Sequence, residues 1–530
     1  MCYVALTARH ILSTASDIAA MTRSFHVTPR RDSPYASILL SFLKTSTALQ
    51  LAGTISRIAL TFIPLVFLKK LKARRILQKI DVKMSNGRTD LEEKRARIVQ
   101  HERRSTIAFH ILLFTPIILF WLTIVASLER TPLTGRWRLI LLSPEEEEDI
   151  AAQLAGAGWY RAVGEILSQR GPPRLVDPGD WRLTWVQDTL RRLEAVVPVL
   201  QHEHDLVPDW MEHGSDDGTV PCPPPAEFPL RPRPRASEYF RRVAEAACAR
   251  TVHSSPHAIA GPPYSLLVVD DPEASNAFSY GFGPDGGGGI VVFSGFLDDV
   301  LSKYQPSVEE LPPPPKSLWA HFFGGLFSFA PPTPIQPLPT EEQTSELAIL
   351  LAHELAHLIL THHIETLSSG SIVWPGVMSI VTDLVRTLLF PVTMLFGPFI
   401  NDALAGVGKA SSGEVTRLSE YCTSQSQEIE ADIVSARLLA HAGFDPRHAV
   451  RFWEGRQETP QNAECSLTRA EGHYEDTLES LPNRWMGETH PVNVVRVQRL
   501  KAELDRWEKV RQRALQERRR TAVASAGAPT

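Results

Sequence analysis

The sequence predicts a mostly helical α+β protein on an N-terminal membrane anchor. Three observations carry this. Ser105 to Leu128 is apolar and has no Asp, Glu, Lys or Arg, and about 20 such positions match a hydrocarbon core of roughly 30 Å. Glu346 to Glu365 and Gln427 to Ala436 have helical apolar periodicity. Tyr264–Asp270 (YSLLVVD) and Ile290–Phe293 (IVVF) read as short strands, which predicts a small antiparallel sheet.

The bulk numbers fit one large folded domain with accessory segments: 530 residues, 43% hydrophobic and 22% charged. The net charge of -5 gives no ground for nucleic acid, and no nucleic-acid partner is expected. The five cysteines form no CxxC pair, which excludes a thiolate zinc site and a dense disulfide framework. Any metal must use histidine and carboxylate.

The anchor region covers residues 36–128. Residues 1–35 carry Arg9, Arg23, Arg30 and Arg31 among many Ser, Thr and Ala, against Asp17 and Asp32, which is the composition of a mitochondrial presequence. A weaker apolar run, Ala48–Leu68, contains Gln50, Arg57 and Pro64 and reads equally as a second span or an interfacial helix. The loop from Lys69 to Arg104 is rich in Lys and Arg, and such loops stay on the side from which insertion begins. In a mitochondrion that side is the matrix, which puts everything after Leu128 in the intermembrane space. The expected location is therefore the inner membrane, in contact with its lipid.

Residues 129–500 read as the main domain and 501–530 as a charged helix and tail. Helical patterning opens at Pro144–Asp149 (PEEEED), runs to Arg170, and resumes around Trp185–Leu200 and Ser237–Arg250. Proline clusters exclude regular structure from most of 205–236 and 306–339; within the second, Leu318–Phe329 (LWAHFFGGLFSF) is an apolar flap candidate. The glycine run Gly286–Gly289 is not followed by Lys-Ser or Lys-Thr, so it reads as a turn and not a phosphate loop.

The chemistry lies in ELAILLAHELAHLILTHHIE, residues 346–365. Lacking Gly and Pro, it predicts one continuous helix, with His353 and His357 on one face able to share a metal. Glu354, about 100° further round, can act on a water beside that metal without ligating it. A third ligand is required. His363 follows His357 at the spacing of HExxHxxGxxH, but that geometry needs Gly where Leu360 stands. On a continuing helix His363 points about 240° away, and His362 and His363 read as ordinary histidines. The better candidate is Glu428 in QEIEADIVSA, with Asp432 one turn on to accept an N–H from a ligating imidazole.

HELAH, EIEAD, the Asn276-Ala277-Phe278 triplet, and Thr489-His490-Pro491 followed by Arg496 resemble elements of the HtpX and CAAX-prenyl-protease family of membrane zinc peptidases. Thr131–Arg138 (TPLTGRWR) is similar to the mitochondrial branch of that family. Gln425 departs from it, standing where members often carry Arg. The resemblance implies a gluzincin-type metallopeptidase domain holding one Zn2+ per chain on His353, His357 and Glu428, with Glu354 as general base. It implies substrate binding as an added strand at Asn276, Ala277 and Phe278, and places His490 and Arg496 near the site, His490 in the role of oxyanion donor. Expected partners are protein substrates in or at the inner membrane and, by the same likeness, further copies of the chain. Rival readings are a prenyl-protein-processing protease of the endoplasmic reticulum and a catalytically silent membrane scaffold.

Ser371–Ile400 is apolar enough for a span, yet it separates His357 from Glu428. A single crossing would leave the ligands on opposite sides of the membrane, so a re-entrant, interfacial or core-packed helical pair is expected.

Overall fold

The computed structural model describes residues 46–86, 91–168, 171–213, 219–231, 233, 261–303, 339–369, 373, 385, 425–456 and 494–526. The presequence-like start, the Ser237–Arg250 helix, the 318–329 flap, nearly all of 371–400, and His490 lie outside the described residues.

Two helices open the structure, α1 (Ser46–Ser85) and α2 (Glu92–Ser127), and both are long and apolar enough to cross a membrane. Their 40 and 36 residues extend about 60 and 54 Å at 1.5 Å per residue, well past a hydrocarbon core of roughly 30 Å. The surplus is the basic stretch, where Arg95 meets Asp81 at 2.8 Å. Phe67, Leu68, Ile111 and Trp121 are exposed on these helices, which suits a lipid surround better than water.

With no linker, α2 passes into a hairpin of β1 (Leu128–Arg130) and β2 (Trp137–Leu139). The helical run expected from Pro144 to Arg170 is two helices, α3 (Pro144–Leu154) and α4 (Ala157–Ser168). The break falls at Gly156, whose φ of 55° suits glycine, and whose N–H donates to Asp285 O at 2.9 Å. Ser143 and Glu146 close a capping box on α3. Next come α5 (Trp181–Glu194), capped by Asp180, and the short α6 (Val197–Gln201) and α7 (Glu203–Leu206).

Three strands, β3 (Ser265–Val269), β4 (Ala277–Gly281) and β5 (Gly288–Phe293), form a sheet in the order β3-β5-β4. The expected antiparallel sheet is mixed: β4 and β5 pair antiparallel, whereas β3 and β5 are parallel. The cause is the β4–β5 hairpin, which returns β5 between β4 and β3 in the direction of β3. Being central, β5 is buried along its whole length. Its alternation sends Ile290 and Val292 into the main core, and Val291 and Phe293 against Trp159, Val163 and Leu167 of α4.

The main core forms around α9 (Glu341–Ile359), reached from the sheet through α8 (Ser294–Lys303). Thr340 and Gln343 close a capping box at the start of α9. Its HExxH half is buried on every side, because the sheet covers one flank and α5, α11 (425–441) and α12 (Arg447–Glu454) the others. The C-terminal helix α13 (Val494–Ala526) adds Val497, Leu500 and Trp507 to the same core, so it is continuous across residue 500.

The predicted continuous helix over 346–365 is broken. α9 ends at Ile359, Thr361 adopts φ 56° and ψ 41°, and α10 (His362–Ser368) leaves at a bend of 52°. A β-branched residue in the left-handed region costs on the order of 1–3 kcal/mol, which no propensity argument anticipates. It is held by Thr361 Oγ1 donating to Leu360 O at 2.7 Å, and by the Arg138 guanidinium from β2 donating to the same carbonyl.

In β5, a Cβ on Gly289 would lie 2.5 Å from Ser265 O and 2.6 Å from the Trp159 ring. Gly289→Ala should therefore lower stability by about 1–3 kcal/mol, read as a reduced denaturation midpoint; an unchanged midpoint would contradict this packing.

Candidate metal centre

α9 and α11 face each other across the core and bring His353, His357 and Glu428 together, all three buried. His353 Nε2 lies 3.2 Å from Glu428 Oε2 and 3.2 Å from His357 Nε2, and His357 Nε2 lies 3.5 Å from Glu428 Oε1. Ligands about 2.0–2.1 Å from a tetrahedral zinc are about 3.3 Å apart, so these spacings are those of three corners of one coordination shell. Two imidazoles and a carboxylate form a donor set suited to zinc, and the group could hold a metal ion.

α11 is fixed on both sides. Its outer face carries Arg437, whose guanidinium donates to Glu203 at 2.7 Å, and His441, 3.1 Å from the same carboxylate. Its inner face carries Glu428 and Asp432 one turn apart. Asp432 Oδ1 lies 3.0 Å from His353 Nδ1, which orients the imidazole with Nε2 toward Glu428. Arg496, from the first turn of α13, donates to Asp432 at 2.8 and 2.9 Å and reaches Glu428 Oε2 at 3.1 Å. Trp453 of α12 forms a wall, its ring 5.1 Å from that of His353 and 4.9 Å from the Arg496 guanidinium carbon.

Charge in this pocket is unbalanced. Among the described residues, Glu354, Glu428 and Asp432 are buried beside the Arg496 guanidinium, an acidic surround that favours a bound cation. Burial works against charge on Asp432, yet Arg496 and His353 hold its pKa below the ordinary carboxylate range. Burial likewise works against protonated His353, but hydrogen bonds to Asp432 and Glu428 raise its pKa. Glu354 follows His353 on α9, is fully buried, and acts electrostatically on Arg496.

The residues expected at the site are not all brought together. Asp432 and Arg496 join the three donors, whereas His490 lies outside the described residues. Ala277 begins β4 and faces the α9 core, Phe278 faces the opposite cluster on α4, and Asn276 O accepts from Phe293 N at 3.2 Å. Ala277 and Phe278 lie on an edge strand packed on the motif helix, and Asn276 immediately precedes it. His363 turns away, its Nε2 3.3 Å from Ser279 Oγ.

His362 is not the ordinary histidine expected from the sequence. It is buried, with Nδ1 2.9 Å from His357 Nδ1 and Nε2 3.3 Å from Glu430 Oε2. Glu430 also accepts from Arg136 at 2.8 Å and from Thr134 at 2.5 Å, while Arg136 grips Glu365 at 2.7 Å with each terminal nitrogen. Sequence reasoning missed these residues because the i, i+5 contact exists only through the bend at Thr361. Thr134 and Arg136 within TPLTGRWR were an available signal.

A family model, peptidase family M48, matches residues 236–504, just over half of the chain. The chain belongs to this family. It is therefore a metallopeptidase, and its two apolar helices suggest that it is membrane-associated. The matched range holds all three candidate ligands, together with Glu354, Asp432 and Arg496, but not the β1–β2 hairpin that grips Glu430 and Glu365. No curated protein matches the chain.

Burial raises the pKa of Glu430, but hydrogen bonds from His362 and Arg136 more than offset this and bring it from 4.5 to about 2. A depressed carboxylate stabilises the fold above its unfolded pKa and loses that contribution as pH falls through its folded value. Glu430→Gln should thus cost on the order of 3 kcal/mol near neutral pH, and the gap from wild type should narrow as pH falls from about 4.5 toward about 2. Parallel denaturation series at several pH values would measure it; a gap constant with pH would contradict the assignment.

Proposed function

We propose that the chain is a zinc metalloendopeptidase of the inner mitochondrial membrane, with its catalytic domain in the intermembrane space, acting on membrane proteins in quality control and the stress response. The observation that carries the chemistry is the convergence of His353 Nε2, His357 Nε2 and a Glu428 oxygen beside Glu354. The location rests on the presequence-like composition of residues 1–35, the basic loop between two apolar helices, and the TPLTGRWR likeness to the mitochondrial branch, whose activity overlaps that of the m-AAA protease.

His353, His357 and Glu428 would hold the zinc, with Asp432 and His362 on the outer nitrogens of the two imidazoles. When bound, zinc polarises the scissile carbonyl and lowers the pKa of water toward about 7. Glu354 takes the proton of the attacking water and delivers it to the leaving amine nitrogen. An extended substrate adds antiparallel to β4, where main-chain pairing gives affinity with little demand on sequence. The edge position of β4 and its packing on α9 support that route. His490 is assigned as the donor to the developing oxyanion. Substrates are inner-membrane proteins with loops in the intermembrane space, and further copies of the chain are partners by the same family likeness.

Glu354→Gln should retain zinc and lower the cleavage rate by about 10²–10⁴-fold, whereas Glu428→Ala should lose zinc. Metal content and cleavage of an unfolded protein by the purified full chain would read both, and full activity in either variant would refute the assignment. Protease protection in isolated mitochondria should place residues 340–365 and 425–440 together in the intermembrane space; recovery of the chain in the endoplasmic reticulum would sink the location.

A further inference from the structure

We propose that His362 is a positioning residue for the metal site, holding His357 with Nδ1 protonated and Nε2 turned toward the other two ligands. The proposal rests on the metal-site reading above and adds to it a requirement placed on one outer nitrogen.

The hydrogen bonds run inward from the hairpin. Glu430 is surrounded by donors: Arg136 at 2.8 Å on one oxygen and Thr134 at 2.5 Å on the other. An ionised carboxylate only accepts, so the 3.3 Å contact from His362 Nε2 is an N–H donated to Glu430. In the tautomer that donates from Nε2, the lone pair of His362 is on Nδ1. The neighbour of that lone pair is His357 Nδ1, at 2.9 Å, and a hydrogen bond between them requires His357 to supply the proton. His357 is left with its lone pair on Nε2, the nitrogen that lies 3.2 Å from His353 Nε2 and 3.5 Å from Glu428 Oε1. Asp432 does the same for His353. The two imidazoles are thus set by different devices, a carboxylate directly for one and a carboxylate acting through a second imidazole for the other.

The backbone is shaped for this contact. On a straight helix, residues five apart are about 140° round from one another and cannot touch edge to edge. The left-handed Thr361 and the 52° bend bring His362 back under His357, with ring centroids 4.9 Å apart and planes at 74°. An edge-on approach at this angle joins nitrogens, where hydrophobic stacking would join faces. The bend is itself held by Arg138, two residues along the hairpin from Arg136.

Two amide substitutions separate positioning from packing. In His362→Asn the side-chain oxygen stands where Nδ1 stood and can accept from His357; in His362→Gln the amide reaches toward Glu430 and leaves the Nδ1 position without an acceptor. The measurement is the zinc dissociation constant of the detergent-solubilised full chain, by competition with a chelator, with thermal midpoints of the metal-free proteins recorded alongside. Expected are a loss of zinc affinity of about 10–100-fold in His362→Gln, recovery to within a few fold of wild type in His362→Asn, and metal-free midpoints that do not track the difference. Equal zinc affinity in the two variants, or weaker binding by Asn than by Gln, overturns the proposal while the metal site stands. Failure of the wild-type chain to bind zinc overturns both.

Discussion

Everything at the centre of this molecule depends on pressing α9 against α11 with carboxylates between them. Among the described residues, three acidic side chains and two imidazoles are enclosed there with the Arg496 guanidinium, an arrangement whose desolvation cost is tolerable only if every charge has a partner. Arg496 answers Asp432 and touches Glu428, Asp432 answers His353, and the three donors that converge there could hold a metal ion. The packing follows from that pairing: α13 must dock its first turn into the core to deliver Arg496, and α12 must bring Trp453 over both His353 and the guanidinium.

A second network reaches the same site from the membrane side. The β1–β2 hairpin puts Leu133 into the main core, holds the bend after α9 through Arg138, and holds Glu430 and Glu365 through Thr134 and Arg136. It lies outside the segment matched by the family model. The contacts that hold this bend therefore come from outside the matched segment, from the part of the chain covalently joined to α2.

That His353, His357 and Glu428 could meet was legible because helical spacing is a strong rule and HExxH with a distant ExxxD obeys it. The choice of Glu428 over His363 agrees with the geometry, but for a partly different reason. Leu360 was read as keeping the helix straight, whereas the helix breaks one residue later and His363 still turns away, toward Ser279. The break was invisible because Thr361 has no local preference for a left-handed backbone; contacts with β2, more than 200 residues earlier, impose it. The same holds for the sheet. Short apolar runs disclose strands but not which neighbour a central strand will take, and β5 takes one in each sense. The capping box at Thr340–Gln343 was written in the sequence and would have started α9 five residues earlier than periodicity alone did.

Between Ser127, the last residue of α2, and Leu128, the first of β1, there is no linker at all. A tethered enzyme normally trades slack for reach, since a longer flexible chain samples more volume at lower effective concentration. Here the slack is zero. With α2 in a bilayer, the site samples only a thin layer beside it, so a peptide bond in that layer meets the site at high local concentration, while one carried further out by a long loop must first be brought down.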